Sequence, residues 1–270
     1  MLRKLFKYEF GATGRIFLPM YAALLLMSLV SHFFYNADVE ISGILFVLVT
    51  MLMVMLFTAV WVVTLVVVVR RFYSNLLGRE GYLMNVLPVD PWQHVLAKTG
   101  TSAVWIIAGM IVSLVSMLAI FMGLPEFGWS ELREVFSSLR EGIGWLSRNG
   151  YLGQTVLFFV ELIAELILET CQFVLMAYAA MCIGQLASRH RVWASIGAYF
   201  GIQIAESFVT QLLGEANFDR ILDSGEVFRG LDSITGANIA LGILLAETLV
   251  MCAAMFFVSS VLLKKKLNLQ

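Results

Sequence analysis

Residues 70–98 read RRFYSNLLGREGYLMNVLPVDPWQHVLAK, and they separate two runs without a single charge, 43–69 and 101–123. A helix crosses a bilayer core with about 20 apolar residues, so each run is long enough for one crossing. The polar stretch between them then lies at a membrane surface or beyond it. It carries four basic residues (Arg70, Arg71, Arg79, Lys98) against two acids, Glu80 and Asp90. Cytoplasmic loops hold an excess of Lys and Arg, so this surface is read as the inner one.

The rest of the chain follows the same pattern. Of its 270 residues 60% are hydrophobic and only 14% charged, where a soluble domain of this size holds about 25% charged residues. The expectation is an all-α integral membrane protein forming one transmembrane domain over 1–270. Six spans are expected, at 16–35, 43–69, 101–123, 154–182, 194–213 and 238–263. An even number puts both termini on one side. Thirteen of the eighteen basic residues fall on the side shared by the termini and 70–98, while the opposite loops hold five basic residues against eleven acids. Both ends are therefore expected in the cytoplasm. Run 16–35 is too long for the apolar part of a signal peptide and no small-x-small cleavage site follows it, so it is read as a retained span.

Before the first span, LRKLFKYEFGATGR (2–15) places Leu2, Leu5, Phe6 and Phe10 at helical spacing, with Arg3, Lys4 and Lys7 on the other face. That pattern predicts an amphipathic helix on the inner leaflet; a basic flank that only sets topology is the plainer alternative. Within 70–98 the second helix is expected to run past Arg71 and stop near Gly78 or Gly81. Pro88 breaks the chain, and Asp90-Pro91-Trp92-Gln93 starts the third helix, with Asp90 as N-cap, Pro91 at the first position and Gln93 completing a capping box. On the outer side, Leu132, Val135, Phe136, Leu139 and Ile143 within 124–153 form an apolar stripe, which predicts a surface helix. The outer loop 214–237 is acidic.

The fourth span holds Glu161, Glu165 and Glu169, four residues apart and so on one side of a helix. Glu206 and Glu247 add acids to the fifth and sixth spans. Acids inside a membrane are costly and mark a pathway or a paired interior site. Two readings stand side by side: an acidic cavity that favours a cationic substrate or carries protons, and glutamates that hold helices together by bonding Gln154, Gln172, Gln203 and nearby hydroxyls. Gly197, Gly201 and Ala205 form a small-residue row suited to close helix packing or a dimer face. The three cysteines (Cys171, Cys182, Cys252) sit in apolar spans and read as small buried residues. The histidines His94 and His190 read as interfacial. There is no phosphate-binding GxxxxGK[ST] loop, no HExxH and no GxSxG, so neither ATP binding nor catalysis by this chain is expected, and no metal site.

KYEFGATGRIFLPMY (7–21) and EGYLMNVLPVDPWQHVLAKT (80–99), together with the six-span pattern, resemble membrane permease subunits of bacterial ABC transporters, the type-two export-permease group. The resemblance implies a dimer, either of two copies or with a sister permease, in the bacterial cytoplasmic membrane. It also implies two separate ATPase subunits that hold ATP and Mg beneath it, with no cofactor on this chain. It assigns Lys4, Lys7, Arg79, Glu80, Gly81, Tyr82, Leu87 and Pro88 to contact with the ATPase. The glutamates of the fourth span are not part of that family picture. They leave open a stand-alone proton- or cation-coupled transporter, or a membrane scaffold without transport.

Overall fold

The structure, a computed structural model, describes residues 2–36, 43–78, 90–123, 128–187, 189–214 and 233–265. Seven α-helices account for nearly all of them, with no strand among the described residues: α1 (Leu2–Asn36), α2 (Gly43–Phe72), α3 (Pro91–Phe121), α4 (Trp129–Arg148), α5 (Leu152–Gly184), α6 (Arg191–Gly214) and α7 (Ser233–Lys265). Five of them, α1, α2, α3, α5 and α7, are long and apolar enough to cross a membrane. By length and composition this is a multi-pass membrane protein.

One expectation is not shown and another needs correction. The fifth expected span, 194–213, is present as helix α6 but is not among those five. Gln203, Glu206, Thr210 and Gln211 lower its apolar content below that of its neighbours. The separate helix expected over 2–15 is also absent, because α1 runs without a break from Leu2 through Pro19 to Asn36. At 1.5 Å per residue its 35 residues extend about 50 Å, well beyond a hydrocarbon core of about 30 Å. Nothing in GATGRI (11–16) forces an end. Instead Thr13 donates to the Glu9 carbonyl at 2.7 Å, and Phe10 turns its ring toward Trp105, 6.1 Å between centroids. The apolar side of this segment thus meets a neighbouring helix.

The polar connection behaves as its sequence suggests at both ends. α2 passes Arg70 and Arg71 and closes in a π-helical turn, Tyr73–Leu77, with the Gly78 N–H on the Tyr73 carbonyl at 2.8 Å. α3 begins at Pro91, with the Gln93 N–H on the Asp90 carbonyl at 3.0 Å. The reciprocal capping box is not made, since the side-chain oxygen of Gln93 is buried without a hydrogen bond. His94, read as interfacial, is buried, and so is Lys98.

The chain divides into two compact units. In one, Leu2–Val68 with Val104–Gly144, the core is Phe17, Tyr21, Leu24 and Val60, with Trp105, Ala108 and Val112 of α3 packed against it. Trp105 organises this core. Its ring stacks on Phe17 at 5.0 Å, its indole N–H donates to Thr13 at 2.8 Å, and its carbonyl accepts the Tyr21 hydroxyl at 2.7 Å. Farther along, His32 donates from Nδ1 to the Ala119 carbonyl at 3.0 Å. The pairs rise together in number, so α1 and α3 run in the same direction. α4 starts on a cap: the Ser130 hydroxyl at 2.8 Å and the Gly128 N–H at 2.7 Å both donate to Glu131. The hydroxyl first, then backbone N–H groups, hold the Glu131 carboxyl below its ordinary range. The ionised form makes the cap, so the cap is complete above the ordinary carboxylate range and fades as pH falls through the lowered value.

The other unit, Val69–Ala103 with Trp145–Gln270, contains α5, α6 and α7. Phe72 stacks flat on Tyr178 at 3.8 Å, and Tyr178 meets the Ser102 hydroxyl at 3.1 Å. α5 packs along both α6 and α7. α6 starts against the end of α5 at Gly184, where a Cβ would stand 2.5 Å from the Ser195 nitrogen and 2.6 Å from its Cα. Gly184→Ala should therefore destabilise the fold by about 1–3 kcal/mol or more, read as a lower thermal midpoint in detergent. Ser195→Ala should not rescue it, because the obstruction is backbone; full recovery would place the close approach elsewhere.

Candidate functional site

Residues on α5 advance by about 100° each around the helix. On that wheel Gln154, Glu161, Glu165, Leu168 and Gln172 share an arc of roughly 60°. This arc is the seam that α5 presents to its two partners. The Asn238 amide of α7 donates to the Gln154 carbonyl at 3.0 Å. The Thr248 hydroxyl meets Glu165 Oε1 at 2.7 Å, and Cys252 Sγ lies 3.5 Å from the Leu168 carbonyl. The pairs again rise together, so α5 and α7 run in the same direction. Toward α6 the order reverses: Gly184 approaches Ser195, and the Gln172 amide hydrogen-bonds Glu206. α6 and α7 meet where Thr210 donates to Glu247 at 2.6 Å.

Four of the five expected glutamates therefore face this three-helix seam: Glu161, Glu165, Glu206 and Glu247 are half-buried. Glu169 is exposed. Four-residue steps overshoot a full turn by about 40°, so Glu169 has rotated roughly 80° from Glu161 and leaves the arc. Gln172, on the arc, takes its place. Of the amides read as partners for the glutamates, Gln172 bonds Glu206 and Gln154 bonds Asn238 through its backbone, while Gln203 is exposed. No motif marks Asn238, Thr210 or Thr248, and Cys252 reads from the sequence only as a small buried residue. Their one signal is polarity inside otherwise apolar helices, and it does not say which distant residue each will meet.

The seam is short of donors. Glu161 Oε2, Glu165 Oε2 and the side-chain oxygens of Gln154, Gln172 and Asn238 are all buried without a hydrogen bond, and all five are acceptors. A buried acceptor left unpaired costs about 1–3 kcal/mol. Protons on the carboxyls, water, or an N–H-rich or cationic guest would each supply what is missing. No group of three or more His, Cys, Asp or Glu able to hold a metal occurs among the described residues.

The other expected site residues lie apart. Lys4 and Lys7 are exposed near the start of α1. Arg79, Glu80, Gly81, Tyr82, Leu87 and Pro88 lie outside the described residues. Gly197, Gly201 and Ala205 are exposed, and nothing stands within 4 Å of where a Cβ on either glycine would be. They lie on the side of α6 away from Glu206, so among the described residues this row packs against nothing. The chain matches no protein-family model, no curated protein and no solved structure.

Thr248→Val keeps the side chain's shape and removes the hydroxyl facing Glu165. Interhelical hydrogen bonds of this kind average about 0.6 kcal/mol and reach about 1.7, so the thermal midpoint in detergent should fall by that equivalent. Glu165→Gln keeps an oxygen for Thr248 and should cost less, and Glu169→Gln should cost nothing. Equal midpoints for the parent and Thr248→Val would remove the pair from the account of stability.

Proposed function

We propose that this chain is the membrane-spanning permease subunit of an ABC exporter in a bacterial cytoplasmic membrane. ATP and Mg are held by two separate ATPase subunits, and this chain is not itself an enzyme. The observation that carries the reading is the connection 79–89 and its frame. α2 continues beyond its charge-free run to Gly78, and α3 begins at Pro91, well before the next charge-free run. Stiff helical ends on both sides of a short connection are what a docked ATPase needs in order to push on the spans. The likeness of 7–21 and 80–99 to export permeases supports the same assignment, with Lys4, Lys7, Arg79, Glu80, Gly81, Tyr82, Leu87 and Pro88 as the docking contacts.

The six-span arrangement belongs to this proposal. α6 runs back along α5 and meets α7, so its acid Glu206 is half-buried against Gln172 and its Thr210 bonds Glu247. On this reading α6 crosses as well, and both termini share the cytoplasm. The open row of Gly197, Gly201 and Ala205 suits close approach of a second permease. The acceptor-rich seam with Glu161, Glu165, Glu206 and Glu247 suits a substrate that brings positive charge or N–H donors, such as a cationic peptide, drug or amphiphile.

That seam also favours a second reading, a stand-alone proton- or cation-coupled transporter whose glutamates carry the coupling ion. Affinity purification of the tagged chain from its own host in mild detergent separates the two. The expected result is a co-purifying ATPase, lost when Arg79, Glu80 and Tyr82 are replaced together by Ala in a chain that still elutes as a single species. A well-behaved chain with no nucleotide-hydrolysing partner would favour the ion-coupled transporter. Transport in vesicles from the double variant Glu161→Gln, Glu165→Gln is the companion measurement. A loss of at least tenfold is expected if substrate passes the seam, and unchanged flux would confine the glutamates to a structural part.

A further inference from the structure

Helix α4 contains no buried residue, and its side chains are sorted by kind. At about 100° per residue, Trp129, Leu132, Val135, Phe136, Leu139 and Ile143 fall within an arc of roughly 120°. Trp129 and Phe136 are 76% and 67% exposed, so no part of the protein among the described residues covers this arc. The charges are not spread evenly over the remainder. Arg133 and Arg140 lie at one border of the apolar arc and Glu131, held in the N-terminal cap, at the other, while Glu134, Glu141 and Arg148 lie well round from it.

We propose that α4 is an interfacial helix. Its apolar arc is seated at the headgroup–acyl boundary of a lipid leaflet, with Arg133 and Arg140 at the phosphates and Glu134 and Glu141 toward water. The charge order identifies the occupant. Lipid phosphates lie just above the acyl region, so a helix lying there has its cations at the edge of its apolar face and its acids farthest away. Connectivity points the same way. α4 lies between α3 and α5, both long and apolar enough to cross a membrane. Its junction with α5 is tight: Gly150 has φ +79°, a conformation that favours glycine. The Tyr151 N–H reaches back to the Leu146 carbonyl at 2.9 Å, and Tyr151 stacks on Trp145 at 6.2 Å. α4 therefore ends where α5, long and apolar enough to cross, begins. The inference needs only a multi-pass chain and is independent of what the chain transports.

The test uses the full-length protein reconstituted in vesicles of phosphatidylcholine and phosphatidylglycerol. Nitroxide labels are placed on cysteines introduced singly at Phe136, Leu139, Glu134 and Ser138, with the parent chain as the labelling blank. Collision with oxygen and with a water-soluble nickel chelate is then measured. Labels at Phe136 and Leu139 should collide with oxygen and hardly with nickel, at a depth of about 5–10 Å below the headgroups. Labels at Glu134 and Ser138 should show the reverse. Adding Arg133→Glu with Arg140→Glu should move the arc labels toward water. Nickel reaching Phe136 and Leu139 as readily as Glu134 would overturn the proposal. So would exclusion of both reagents from the arc, which would mean that protein covers it. The four positions are exposed and labelled one at a time, so failure of one variant to fold leaves the others to decide.

Discussion

A hydrocarbon interior offers no hydrogen-bond partner, so every polar group carried into it has to be satisfied from within the chain. That constraint separates the polar residues of these helices into two kinds. Hydroxyls that need only one bond return it to their own helix. Ser31 reaches Met27 at 3.0 Å, Thr64 reaches Val60 at 2.7 Å, and Ser259 reaches Met255 at 2.8 Å. Such residues impose no tertiary contact. Groups that cannot be closed locally look outward, and these set the packing. The indole of Trp105, the ring of His32 and the phenol of Tyr21 tie α1 to α3. Glu165, Gln172, Glu206 and Glu247 tie α5, α6 and α7 together.

The two sets of ties differ in chemistry. Between α1 and α3 each donor meets a carbonyl or hydroxyl, and the remaining contact is aromatic stacking, worth about 0.5–1.5 kcal/mol beyond area burial. This is an arrangement for holding helices in place. Between α5, α6 and α7 the acceptors outnumber the donors, and five buried oxygens have none. Apolar residues of similar volume would pack there without that cost. The four carboxyls make this seam costlier than the Trp105 core, although Glu165, Glu206 and Glu247 each recover an interhelical hydrogen bond.

Much of the architecture was legible because it depends on local rules. The charge-free runs mark the long helices, Gly78 and Pro91 bound the polar connection, and the spacing of Leu132, Phe136 and Ile143 marks α4. What was not legible depends on partners distant in sequence. Charge alone suggested a break after Arg15, yet the ring of Trp105 gives Phe10 and Thr13 a reason to continue the helix. Lys98 looked like a surface flank and is buried. The glutamate row was read from its four-residue spacing, which keeps two neighbours together but carries the third off the face. The seven-residue spacing of Gln154, Glu161 and Leu168, with Glu165 and Gln172 beside them, was the better guide to the seam. Amides and a leucine do not mark a face as acids do, although Gln154 and Gln172 are natural partners for the glutamates.

α6 joins local composition to tertiary packing. It is less apolar than α5 and α7 because Gln203, Glu206, Thr210 and Gln211 sit on it, and it falls short of a span judged alone. Insertion energy is not set by a helix alone, however. Glu206 is matched by Gln172, and Thr210 and Glu247 satisfy one another, so part of the cost of its polar face is offset by α5 and α7. Its other face sets Gly197, Gly201 and Ala205 among exposed Trp193, Phe200, Ile204 and Phe208, so it offers apolar area to lipid beside a row of small residues. A helix that is polar where it meets its own unit and apolar outward can face lipid once its neighbours cover the polar side. Two of the residues that weaken α6 as a lone span, Glu206 and Thr210, are the ones that join it to α5 and α7.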